Sequence, residues 1–322
     1  MNNFKKIGLT ALAASLVSVS AHAGEMSVKG SASIGVDQHS GNAGGKNITM
    51  GNQLTFTGGG ELDNGLTVSL SFVLDQADNA TAAAGPFDGH SITISSDTLG
   101  AITVAGEGQG NAQSALDTTA AGDIWDNSFR HVVAGTETAY VGLVGSDAST
   151  SSINYTLPTL MDGVSVSASY SAGGAAVESS TAYGVTYTGV EGLSVSYGAG
   201  EAASTTAALQ GDLTSMSVSY AIGSFTAAVS QTESDLTTGT DEELNSFKVS
   251  YTVSDNLSVS YGEESHETTG QTVDEEFSQL SVSYTTGGMT LSGAVQEATG
   301  LGNNAGAAGQ ADRWKLGASF AF

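Results

Sequence analysis

The chain contains no cysteine. That excludes disulfide staples and thiolate metal sites. Basic residues are scarce: eight Lys and Arg stand against 33 Asp and Glu among 322 residues, for a formal net charge of −25. No basic stripe exists that could replace the counterions of a nucleic acid, so nucleic acid is not a partner to expect. Long apolar runs are missing too. After the first residues no segment approaches the roughly 18 consecutive apolar residues of a membrane-crossing helix.

The first residues form a targeting segment. Lys5 and Lys6 make a positive start, Ile7 to Val19 an apolar stretch, and Ala21-His22-Ala23 a small-residue cleavage pattern. Residues 1–23 are therefore read as a cleaved signal peptide and 24–322 as one exported domain. Removing the signal leaves six basic residues against the same 33 acids.

What is present is alternation. Leu66, Val68, Leu70, Phe72 and Leu74 fall on one side of a strand, and Thr67, Ser69 and Ser71 on the other. An outer face as apolar as a core, backed by serine and threonine, suits lipid outside and water inside. Short turns fall at 63–65, 97–100, 158–163, 189–192, 221–224, 254–256 and 286–288. Long polar connections fall near 38–47, 77–88, 108–150, 173–181, 200–213, 232–245, 265–276 and 298–311. Strict alternation of short and long connections predicts an all-β fold, a sixteen-stranded antiparallel transmembrane β-barrel with both termini on one rim.

The tyrosines give an independent signal. Tyr155, Tyr187, Tyr220, Tyr251 and Tyr284 have outward parity just before short turns, and Tyr170, Tyr183, Tyr197 and Tyr261 have it toward the long connections. Two aromatic girdles at the membrane interfaces would sort them so. None lies on the first five or last two strands, where outward residues such as Gly30, Ala32, Gly58 and Gly60 are small. That wall is expected to pack on another copy of the chain, giving a homo-oligomer with its interface on the N-terminal third and the last strand.

Three stretches carry a family likeness: Gly60-Glu61-Leu62-Asp63-Asn64-Gly65-Leu66-Thr67, Ser152-Ile153-Asn154-Tyr155-Thr156-Leu157-Pro158 with Gly163, and the ending Trp314 to Phe322. With them the chain resembles the general diffusion porins of Gram-negative outer membranes. The resemblance implies a homotrimer, a third loop (here 108–150) folded into the lumen as the constriction, and passive passage of small hydrophilic solutes. It also implies that the terminal aromatics Phe320 and Phe322 form the signal read by the outer-membrane assembly machinery. Outer-membrane lipid and lipopolysaccharide are the other implied partners.

In the loop, Asp117, Asp123, Asp126 and Glu137 are the acidic candidates for the constriction, accompanied by Arg130 and His131. By parity Lys29, Arg313 and Lys315 point inward from strands that closure makes neighbours, and are expected as the facing basic cluster; Lys248 points inward from farther round. The chain departs from the enteric members of the family in lacking their glycine-containing loop-tip motif. The fifth strand also ends Gly106-Glu107 where an arginine would stand, and Glu107 is counted among the constriction candidates.

The surplus of acids predicts cation preference. The runs Asp241-Glu242-Glu243 and Asp274-Glu275-Glu276 are expected in outer loops, where they could hold divalent cations against lipopolysaccharide. No cofactor is implied. Three other functions compete with this reading. An outer-membrane enzyme would need a nucleophile–histidine pair, and His39, His90, His131 and His266 sit in no recognisable motif. A surface adhesin would not need sorted tyrosines. A substrate-selective channel would line its track with aromatics, whereas nearly all tyrosines here have outward parity; Trp125, Phe129 and Tyr140 in the long loop are the exceptions.

Overall fold

The computed structural model describes residues 26–40, 45–75, 89–107, 110–124, 131–133, 136–138, 152–173, 179–202 and 210–322. The signal segment lies outside the described residues.

Every described stretch with period-two patterning forms a strand. In chain order these are β1 (Ser27–His39), β2 (Gly45–Glu61), β3 (Thr67–Asp75), β4 (Gly89–Ser96) and β5 (Gly100–Glu107). A small hairpin follows, β6 (His131–Val133) with β7 (Thr136–Thr138). Then come β8 (Ser152–Thr156), β9 (Val164–Ser171), β10 (Ser180–Tyr187), β11 (Leu193–Ala202), β12 (Gly211–Ile222) and β13 (Phe225–Leu236). The last five are β14 (Glu242–Ser254), β15 (Leu257–Thr268), β16 (Glu275–Thr286), β17 (Met289–Thr299) and β18 (Ala311–Ala321). Apart from the β6–β7 hairpin, they close into one antiparallel barrel of sixteen strands, with β18 beside β1.

Closure is completed by the last residue. Phe322 exchanges both backbone hydrogen bonds with Gly30, at 2.7 and 2.9 Å. The Phe322 ring occupies the space where a Cβ on Gly30 would stand, 2.3 Å from its Cε2. Gly30 is thus the seat of the terminal aromatic ring, a more specific reason for a small residue than the packing of neighbouring walls.

The expected short turns all appear, and tight ones fix their own chemistry. Gly192 has φ +78°, and a Cβ there would lie 2.2 Å from the Ala221 carbonyl oxygen. The girdle tyrosines point out as expected: Tyr183 is 54% exposed and Tyr170 47%, while their inward neighbours Ala182 and Ser169 are buried. Tyr155 is half-buried and donates its hydroxyl to the Leu99 carbonyl at 2.8 Å.

The far rim differs from the sequence expectation. Strands β13 to β16 run on past the upper tyrosines, so the loops expected at 232–245 and 265–276 shrink to the connections between Leu236 and Glu242 and between Thr268 and Glu275. Thr232 and Ser234 stand among polar sequence neighbours (Gln231, Glu233, Asp235) that do not announce a strand, yet the backbone ladder continues through them and sets them opposite Leu244 and Leu213. The acidic runs are therefore split by the pleat. Glu242 and Glu275 face inward toward His266, and Glu243 and Glu276 face outward.

Candidate functional site

Residues 110–124 of the long third connection lie on the inward face of the wall. Asn111 starts it by accepting the amides of Gln113 and Ser114 at 2.9 and 2.8 Å, which shapes the short 3-10 turn Ser114–Leu116. Thr119 and Asp123 brace each other. The Thr119 hydroxyl accepts the Asp123 amide at 2.7 Å, and the Asp123 carboxylate accepts the Thr119 amide at 2.9 Å.

Wall serines hold this segment by its backbone. The amides of Ala112, Ala120 and Ala121 donate to the hydroxyls of Ser169 on β9, Ser230 on β13 and Ser246 on β14, at 2.9, 2.8 and 2.9 Å. The Gln113 side chain donates to Ser215 on β12 at 2.7 Å, and Asn154 on β8 donates to the Gly110 carbonyl at 3.2 Å. Thr119 also donates to Glu264 on β15. Inward glycines make room: a Cβ on Gly184 would meet the Ala112 carbonyl at 2.7 Å, and one on Gly262 the Ala121 Cβ at 2.8 Å.

The far end of the segment is latched by apolar contact. Ile124 and Ala121 are buried in a cluster with Leu244, Phe277, Ala298 and Leu301, with Ala311 packed against it. Leu301 belongs to the last long connection, which is pinned in turn. Its Gly302 amide donates to Glu275 at 2.6 Å, and Asn303 donates to the Val273 carbonyl at 2.9 Å. Glu275 also meets His266 Nδ1 at 2.9 Å, and Glu242 lies 3.9 Å from the other ring nitrogen. The segment thus crosses the wall from β8 to β17 and leaves the passage against β18 and β1 to β5.

Of the expected constriction residues, Asp117 and Asp123 are on this docked segment. Burial, reinforced by the neighbouring Asp123 charge, pushes the Asp117 carboxyl up to about 6. Asp126 and Arg130 lie outside the described residues; Glu107 ends β5 and Glu137 is in β7, and their side chains lie outside the description, as does that of His131. Arg313 and Lys315 face inward on β18, near the height of the docked segment. Arg313 is ion-paired with buried Asp37 of β1, and His39 lies 3.4 Å from the same carboxylate.

Lys29 does not join them. It pairs with Thr55 near the short-turn end of β1, eight residues below Asp37, which at about 3.3 Å per residue is most of the wall away. Parity gives a residue's face and not its height. The facing wall on β2 to β5 is lined by hydroxyls such as Thr55, Ser71, Ser91, Thr93 and Thr103, with no base among the described inward residues.

A barrel this wide, narrowed by an inward loop rather than filled by side chains, leaves a water-filled passage. The chain matches the family model for Gram-negative porins over residues 8–322. It belongs to the Gram-negative porin family. The porin fold is shared with solved structures at low identity. The anion-selective porin from Comamonas acidovorans is 17% identical with a TM-score of 0.68, covering 92% of this chain and 99% of that one. Salmonella typhi OmpF, in complex with daunomycin, is 13% identical with a TM-score of 0.69, covering 93% and 98%. A loop-deletion form of OmpT from Vibrio cholerae is 16% identical with a TM-score of 0.61, covering 92% and 99%. No curated sequence matches the chain. The porin resides in the bacterial outer membrane and forms a diffusion channel across it.

Sequence reasoning found the loop and missed its bed. The signal was there in the inward glycines Gly184, Gly198 and Gly262 set among serines, at positions where a channel wall needs no gap.

Proposed function

We propose that this porin passes small hydrophilic solutes down their gradients and prefers cations. The docking of residues 110–124 carries the reading, because it sets two acids at the narrow level while Asp37 offsets the facing Arg313. The constriction is then Asp117 and Asp123 against a hydroxyl wall, with Lys315 as the remaining base. Planar-bilayer recording in a salt gradient tests it: the reversal potential should favour cations, and one favouring anions would overturn the charge reading.

The preference should depend on pH with a definite sign. Asp117 is neutral below about 6 and charged above it, so cation selectivity rises as pH rises through that value. Linkage runs the other way for stability. The folded carboxyl titrates above its ordinary 3.8, so its contribution is present below that value and is lost as pH rises through about 6. Asp117→Asn should flatten the selectivity change between pH 5 and 7, read as reversal potential.

The porin is further proposed to be a homotrimer joined through β1 to β5 and β18. The outward residues of β1 to β5 include Val36, Ile48, Leu54, Ile94 and Val104, all exposed, with no tyrosine or carboxylate among those described. Leu54→Trp discriminates, since lipid accepts a larger apolar group and a packed interface loses about 1–3 kcal/mol. The temperature at which the oligomer dissociates during electrophoresis should fall; an unchanged value would place this wall against lipid. The chain's implied contact with the assembly machinery runs through Phe320 and Phe322. Divalent cations on the acidic outer residues remain a proposal, although the pleat splits each acidic run between the inner and outer faces.

A further inference from the structure

His266 lies on β15 five residues past Tyr261 of the upper girdle, about 16 Å farther along the strand, which puts it at the outer mouth and above the lipid. It is nevertheless 4% exposed. Carboxylates flank it from both neighbouring strands. Glu275 on β16 meets Nδ1 at 2.9 Å, and Glu242 on β14 lies 3.9 Å from Nε2. Glu264 shares its face two residues below, and the docked segment that Glu264 holds carries Asp117 and Asp123. In the adjoining connections Asp241 accepts the Leu236 amide at 3.0 Å, and Asp274 precedes Glu275. β13 brings the hydroxyls of Thr232 and Ser234, and residues 300–310 of the last outer connection contain no ionisable side chain.

Among the described inward residues of β13 to β16 the next base is Lys248. It stands four residues below Leu244, the cross-strand partner of His266, or about 13 Å away. One imidazole therefore balances a group of acids withdrawn from water. Burial opposes its charge, but the pull of Glu242 and Glu275 prevails and pushes its pKa up to about 9.

Glu275 transmits what the imidazole does. One carboxylate oxygen meets His266 and the other accepts the Gly302 amide at 2.6 Å. Gly302 sits in a compact turn, where Leu301 donates its amide to the Gly309 carbonyl at 3.1 Å and Asn304 to that of Gly300 at 3.2 Å. Leu301, beside it, closes the cluster that buries Ile124. Without the imidazolium, Glu242 and Glu275 would face each other as buried, uncompensated charges. Lifting the turn that covers Glu275 lets water in, and takes Leu301 off the cluster.

We propose that His266 is a positioning residue for the constriction: its charge holds Glu275, the last outer connection and thereby Ile124, so that losing the charge widens the passage. The proposal rests on the reading that the docked segment narrows the channel. The sign with pH is fixed. The folded imidazole titrates above its ordinary 6.5, so its stabilisation is whole below that value and is lost as pH rises through about 9.

Liposome swelling with neutral sugars tests it, because their entry reads width rather than charge. Uptake of a neutral trisaccharide by the native porin, normalised to a monosaccharide, should rise severalfold between pH 7 and 10 with its midpoint near 9. His266→Asn, which keeps a donor and loses the charge, should be wide at pH 7 and flat with pH. Glu242→Gln removes one attracting carboxylate and should move the midpoint to lower pH. Folding of each variant is checked by its heat-dependent electrophoretic mobility. A flat native profile, a native rise in His266→Asn or an unmoved midpoint in Glu242→Gln would each overturn the proposal. Ile124→Asp separates the two readings: widening there but not in His266→Asn overturns the role of His266 alone, and widening in neither overturns the loop as the constriction as well.

Discussion

Ile124→Asp is expected to enlarge the channel more than any other single change. The side chain is 1% exposed within six buried apolar residues, so a carboxylate there would be charged and unpaired. Removing such a side chain costs about 2–5 kcal/mol, and burying a lone charge costs more. Leu244, Phe277 and Ala298 keep their places in the barrel ladder, whereas Ile124 belongs to the loop laid over them, so the least costly response is local: the segment's end leaves the wall while the wall stays folded. Unit conductance should rise, and larger sugars should enter liposomes in a swelling assay. Ile124→Leu keeps volume and apolarity and should behave like the native porin. A native exclusion limit in the aspartate variant, with the barrel folded, would show that the latch does not set the opening.

Gly30→Val should have the largest effect on assembly. A branched side chain would occupy the seat of the Phe322 ring, where even a Cβ comes within 2.3 Å. The strain falls at the seam between the first and last strands, where Phe322 and Gly30 exchange two hydrogen bonds. Folded, heat-modifiable porin should drop severalfold in the outer membrane, and deletion of Phe322 should lower it similarly. Gly58→Val is the control, because its missing Cβ meets nothing within 4 Å. Equal yields from the two valine variants would sink the seam argument.

The barrel itself was legible in the chain because lipid and water impose opposite demands on alternate residues. Leu70 against Ser69, or Tyr197 against Ser196, states the strand, its face and its end together. The far rim was less legible, since Thr232, Glu233, Ser234 and Asp235 read as a loop although their backbone pairs as a strand. The constriction was partly hidden for two reasons. A serine facing water and a serine accepting a loop amide look the same in a sequence, as Ser230 and Ser246 show. Lys29 and Arg313 share a face by parity, and only the register reveals the span between them. Ile124 gave no periodic signal, being a single apolar residue in a polar connection that becomes buried through long-range contacts.

Three of the ties that fasten the inner loop run from main-chain nitrogen to serine. Every non-proline residue owns such a nitrogen, so these fastenings are indifferent to which side chain the loop displays there. Exposed positions such as Ala115 and Thr118 can drift without loosening it. The filter's lining is therefore free to be retuned to new solutes, one substitution at a time, on an anchorage that does not have to be reinvented.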